Sequence, residues 1–140
     1  MNLTIEKDCT NIDWDEVSNL LKEVGMAFFE ADKHKKAFEN SYSVIFLFDE
    51  NKLIGFGRTI SDGVYQGAIY DVAVSPRYQG KKLGALIIKD LIDTLPNCNI
   101  LLYASPGKEI FYEKLGFDKM KTGMASFINK EKMKLRGFIE

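Results

Sequence analysis

The sequence predicts an α/β (α+β) fold, with a mixed, mainly antiparallel sheet and helices on both faces. Three observations predict it. Short runs of β-formers alternate with segments whose apolar residues recur at helical spacing. Two of those runs, SVIFLF and LIGFGRTI, flank the turn-forming DENK, as in a hairpin. A third, GAIYDVAV, is followed by an amphipathic helix pattern and then NILLYA, which calls for a right-handed parallel crossover. The 140 residues fit one domain, 1–140.

In chain order, Leu3 and Ile5 alternate with polar residues and predict a short strand. Asp13 is placed to cap a helix, with Glu16 as its reciprocal partner, and Val17, Leu20, Leu21 and Val24 form its inner stripe. A charged helix over 31–40 follows, with Ala37 and Phe38 inward. The hairpin occupies 43–48 and 53–60, and the third strand 67–74, ended by Pro76. A helix over 83–95 buries Leu83, Leu86, Ile87, Leu91 and Leu95, and Pro96 stops it. A buried strand over 99–104 and a short helix over 108–115 come next, with Gly116 at its left-handed cap. Phe117 opens a further strand region and 125–128 another, while Met120 and Met124 read as core fillers.

Composition excludes several classes. Nineteen basic against twenty acidic residues give a net charge of −1, which argues against a nucleic-acid partner. Cys9 and Cys98 are far apart and His34 is the single histidine, so no metal site is expected. The two thiols read as free in a reducing cytoplasm. With no leader sequence and no apolar run long enough to span a bilayer, no membrane association is expected.

Chemistry concentrates in two motifs. In DVAVSPRYQGKKLGA (71–85) a strand ends, a glycine-bearing loop follows and a helix begins. Unpartnered amides at a helix N-terminus attract phosphates. Arg77, Lys81 and Lys82 add charge there, with Lys89 a turn or so into the helix. The plainer reading is a strand-to-helix loop with solvated lysines. The second motif is FYEKLGF (111–117), whose Phe111 and Leu115 at i, i+4 also suit simple core packing.

Together the motifs resemble the GNAT superfamily of acetyl-CoA-dependent N-acetyltransferases. The first resembles its pattern Q/R-x-x-G-x-G/A, set between a V-x-V strand and a helix. Gln79 matches the first position and Gly84 the last. The resemblance implies that Val72, Ala73 and Val74 hold the pantetheine arm through their backbone. It implies that the amides of Gly80, Lys81, Lys82, Leu83, Gly84 and Ala85 wrap the pyrophosphate. Lys82 departs from the pattern, standing where glycine is usual, which implies a weaker or slightly shifted coenzyme site. FYEKLGF resembles the family's second motif, which makes Tyr112 the acid that protonates the departing thiolate and puts Phe111 beside the coenzyme. A phenol of pKa about 10 suits a thiolate whose acid has a pKa of about 8.5.

The look is nearest to the small-amine branch, glucosamine-phosphate and arylalkylamine-like acetyltransferases, where an acid stands at the position of Asp71. That acid orients the amine or takes its proton through water; alternatively, Asp71 bonds nearby backbone or a basic side chain. The expected reaction is direct acetyl transfer from acetyl-CoA to a primary amine of a small molecule, in a ternary complex. A protein or peptide acceptor, or a CoA-binding module without catalysis, are the alternatives. KHKK (33–36) reads as a solvated helix face, or else it edges the acceptor site together with Met26, Phe28 and Phe29; Tyr65 is a further candidate to reach the acceptor. The resemblance also allows a homodimer through the C-terminal region.

Overall fold

A computed structural model describes residues 1–140. The chain forms two compact units, Met1–Leu102 and Tyr103–Glu140. The first unit is a five-stranded sheet in the order β1-β2-β3-β4-β5: Leu3–Glu6, Ser43–Asp49, Lys52–Ser61, Gln66–Val74 and Asn99–Leu101. The first four strands pair antiparallel and β4 pairs with β5 in parallel, so the sheet is mixed as expected. Its helices are α1 (Trp14–Glu23), α2 (Ala31–Glu39) and α3 (Leu83–Asp93).

Both faces of the sheet are covered, which is why β2 and β3 are near-continuous apolar runs. On one face α1 and α2 pack Trp14, Val17, Leu21 and Phe38 onto Phe46 and Phe56. The rings meet edge-on, Trp14 to Phe46 and Phe38 to Phe56, with centroids 5.9 and 5.7 Å apart. On the other face α3 lies close against the strands. A methyl group on Gly57 would stand 2.9 Å from Ile87 Cγ2, and one on Gly67 only 2.7 Å from Leu95 Cδ1. Glycine at 57 lets α3 approach, and glycine at 67 lets the turn after it approach, where any side chain would hold them off.

Several boundaries differ from the sequence reading. Asp13 caps α1 by accepting from the Asp15 N–H, but Glu16 accepts from the Leu53 N–H of β3 and does not close a reciprocal box. The β2–β3 loop is two residues, with Glu50 at φ 56°, and not four. The α3 helix ends at Asp93, where the Thr94 hydroxyl donates to the Leu91 carbonyl. β5 stops at Leu101, and its outer residues are exposed because only β4 covers it.

The second unit holds α4 (Glu109–Lys114) and α5 (Lys130–Leu135). Gly116 takes φ 95°, the left-handed cap read from sequence. No strand forms at 117 or at 125–128. The four-residue run ASFI has no partner ladder, and Asn129 beyond it caps α5 through the Lys132 N–H. Met120 and Met124 are 57% and 95% exposed, so neither fills the core. Tyr103, Phe127 and Phe138 supply the unit's apolar cluster instead. No helix in either unit is long and apolar enough to cross a membrane.

Candidate active site

β4 carries the first part of the site. β5 pairs with it only from Gln66 to Ala68, so from Ile69 to Val74 that edge of β4 has no neighbouring strand. On the other edge, Phe56 faces Ala73 and Arg58 faces Tyr70, leaving Asp71 and Val72 opposite Gly57 alone. This is a bulge, and it bends the strand. Asp71 sits at φ 55°, a left-handed conformation that aspartate tolerates better than most residues.

The loop after β4 is tied down by its own backbone. The Ser75 N–H donates to the Ile54 carbonyl at 2.7 Å. Pro76–Tyr78 form a 3₁₀ turn. The Gln79 amide donates to the Val74 carbonyl at 3.0 Å, and the Tyr78 hydroxyl donates to Asp49 at 2.5 Å. Tyr78 keeps its proton above the ordinary phenol range because the Asp49 carboxylate accepts it.

Gly80 and Lys82 then turn the chain through φ 81° and 65° into α3. This explains the glycine of the family pattern at the position of Lys82. The backbone there is left-handed, and Lys82 holds it at a cost of about 1–2 kcal/mol. Its side chain makes no capping bond, and the first intrahelical bond observed at this end is Leu86 N–H to the Lys82 carbonyl. The amides of Leu83, Gly84 and Ala85 therefore lack helical partners and suit an anionic ligand. Arg77, Lys81 and Lys82, which precede these amides in the chain, are all exposed. Ala73 and Leu83, both 4% exposed, turn their side chains into the core, so they can serve a ligand only through their backbone.

Asp71 meets a residue the sequence reading passed over. Arg58 Nε donates to Asp71 Oδ2 at 2.7 Å, with side chains 15% and 25% exposed. Arg58 Nη1 reaches Ser41 Oγ at 3.4 Å, and the guanidinium lies 5.6 and 5.5 Å from the Phe38 and Tyr70 rings. The usable signal was a lone arginine in an apolar strand, which needs an anionic partner. The KHKK run also divides. Its lysines are exposed, but His34 faces inward and is 4% exposed. Burial holds His34 below its ordinary value near 6.5, with Asp71 pulling the other way.

Phe28 and Phe29 are exposed. Tyr65 precedes β4, six residues upstream of Asp71 and about 20 Å away along an extended strand. In the second unit, Tyr112 of α4 is half-buried between Phe111 and Phe117, with centroids 5.0 and 5.9 Å away. Burial raises its hydroxyl above the ordinary value, so it stays a proton donor to higher pH. No group of three or more His, Cys, Asp or Glu is placed to hold a metal ion.

Residues 13–135 match the Acetyltransferase (GNAT) domain family. The chain is 36% identical over 121 residues to the uncharacterized N-acetyltransferase ycf52 of Pyropia yezoensis, covering 81% of this chain and 70% of that one. It is 33% identical to histone acetyltransferase TAP1 of Glycine max, covering 81% of this chain and 55% of that one. Among solved structures it resembles glucosamine-6-phosphate N-acetyltransferase of Arabidopsis thaliana, with a TM-score of 0.70 at 18% identity, covering 92% of this chain and all of that one.

Proposed function

The chain belongs to the GNAT acetyltransferase family, and from that premise we propose that it moves an acetyl group from acetyl-CoA to the primary amine of a small molecule. That it is an N-acetyltransferase follows from the family; the acceptor, the cosubstrate and the roles of residues are our reading. The observation that carries it is the open edge of β4, running from the bulge at Asp71 into the uncapped N-terminus of α3. An extended amide-bearing arm pairs with such an edge as a strand would. A pyrophosphate suits the amides and cations beyond it.

In this reading the amine nitrogen attacks the thioester carbonyl carbon while an amide near Val72 polarises the oxygen. Asp71, oriented by Arg58, receives the acceptor's ammonium and passes one proton to water before the attack, and the acylated nitrogen loses its remaining excess proton to water as the amide forms. As the C–S bond breaks, Tyr112 gives its proton to the thiolate and is reprotonated from solvent. With the family match running from 13 to 135, we read 1–140 as one acetyltransferase domain. The free cysteines fit a cytoplasmic setting, and a homodimer is an expectation that sedimentation reads directly.

The name of the Glycine max relative favours a second reading, a protein acceptor. A CoA-release assay with small primary amines, glucosamine 6-phosphate and a histone-tail peptide decides. Turnover of small amines supports the proposal. Turnover of the peptide alone replaces it with the second reading, and coenzyme binding without any turnover leaves a non-catalytic module.

A further inference from the structure

Residues 24–30 join α1 to α2 and carry Phe28 and Phe29, both 47% exposed. Rings on a connecting loop ordinarily swing. Here the backbone of one residue is pinned on both its N–H and its carbonyl. The Phe29 N–H donates to His34 Nε2 at 2.9 Å, and the Phe29 carbonyl accepts from Ser18 Oγ at 2.5 Å. The Phe29 ring lies 5.6 Å from the imidazole and 3.8 Å from Lys33 Nζ. An imidazole nitrogen accepts from a backbone N–H only while it keeps its lone pair. The imidazolium carries N–H on both nitrogens. Protonation would set two donors face to face at this contact.

We propose that His34 is a positioning residue for the acceptor amine: its neutral ring holds the Phe29 peptide, and with it the Phe28 and Phe29 rings, beside the Asp71 flank of the site, and its protonation releases the loop. This rests on the reading of Asp71 as the acceptor side. The charges that act on the ring are Lys33 of α2, Arg58 of β3 and Asp71 of β4. Asp71 favours the imidazolium; Arg58 and Lys33 oppose it, as does burial. An acceptor ammonium paired with Asp71 offsets the one group that favours protonation. Bound acceptor and held loop therefore reinforce each other, as linkage requires.

The test is steady-state kinetics with phenethylamine at saturating acetyl-CoA, between about pH 5 and 8, on the wild type and His34→Gln. The glutamine amide oxygen can take the same N–H without titrating. The amine's own ionisation affects both proteins alike, so the ratio of their KM values isolates the imidazole. We expect a ratio near one at the alkaline end, rising toward about tenfold per pH unit below the His34 midpoint, with the kcat ratio flat. The Phe29 amide resonance should titrate with the His34 ring in the wild type and stay still in the variant.

A flat KM ratio, or a Phe29 amide indifferent to His34, overturns the proposal. If His34→Gln does not fold, Ser18→Ala removes the other half of the clamp. It should raise KM at every pH without changing the shape of the profile, and an unchanged KM overturns the proposal equally. If no amine is acetylated at any pH, the reading of the reaction has failed, and the Phe29 amide titration still decides whether the clamp exists.

Discussion

Gly57 faces α3 from directly opposite the bulge, and replacing it with alanine tests how that helix is seated. The new methyl group would stand 2.9 Å from Ile87 Cγ2, 3.0 Å from Leu91 Cδ1 and 3.3 Å from Val72 Cγ2. Carbon atoms settle at about 3.5–4.0 Å, so α3 must retreat by roughly 0.5–1 Å. Ile87 and Leu91 are fully buried and have no room to turn aside. Overpacking of this kind costs about 1–3 kcal/mol. At about 2 kcal/mol, a chain of this length loses roughly 7 °C in Tm. The same change at an uncongested strand position gains about 0.5–1 kcal/mol by stiffening the unfolded chain, so even the sign is diagnostic. Thermal and urea melts measure the loss, with the urea slope unchanged. Calorimetry should show weaker CoA binding, because the amides of α3 move with it. A Tm equal to or above wild type would refute the close-approach argument.

Four further outcomes are expected. Tyr112→Phe should lower kcat by about 10²–10⁴-fold while CoA affinity holds, and unaltered turnover removes Tyr112 as the acid. Gly84→Trp should abolish CoA binding by calorimetry; binding that survives sinks the phosphate-loop assignment. Arg58→Met leaves Asp71 half-buried without its cation, a loss of about 1–3 kcal/mol in urea melts, less than a fully buried pair because both partners keep some solvent. Asp62 accepts from the Val64, Tyr65 and Gln66 amides, which holds its carboxyl below the usual 3.8. A depressed carboxyl stabilises above the unfolded value and loses that contribution as pH falls through the folded one. Asp62→Asn should therefore flatten the stability curve only below about pH 4, read from melts across the acid range.

Periodicity made the first unit readable. Val17, Leu20 and Leu21 announced α1, and the lone DENK between two apolar runs announced the hairpin, because local pattern alone decides those elements. The bulge at Asp71 was invisible, since it exists only as a mismatch between two strands. For the same reason Arg58, thirteen residues upstream, was not matched to Asp71. His34 was lost among lysines whose charge dominated the reading of its helix, although the spacing to Phe38 places both on one side. Around 117–128, β-forming residues suggested strands, but a strand needs a partner and the segment has none. The loop over 75–82, which we assign to the coenzyme, stood out in the sequence as a motif. The left-handed turn at Lys82, which gives the motif's usual glycine its reason, did not.

The mooring of Tyr78 to Asp49 has an entropic consequence. Asp49 also accepts from the Asn2 N–H, so the chain's first residues, the β2–β3 corner and the 3₁₀ turn are laced together. Gln79 and Ser75 fasten the same turn to β4 and β3. A loop arrested in this way before any ligand arrives has little freedom left to surrender, and each rotamer-rich side chain already immobilised spares about 0.5–1.5 kcal/mol on association. In the proposed complex, preorganisation of this kind would shift the ordering on docking from the protein to the ligand.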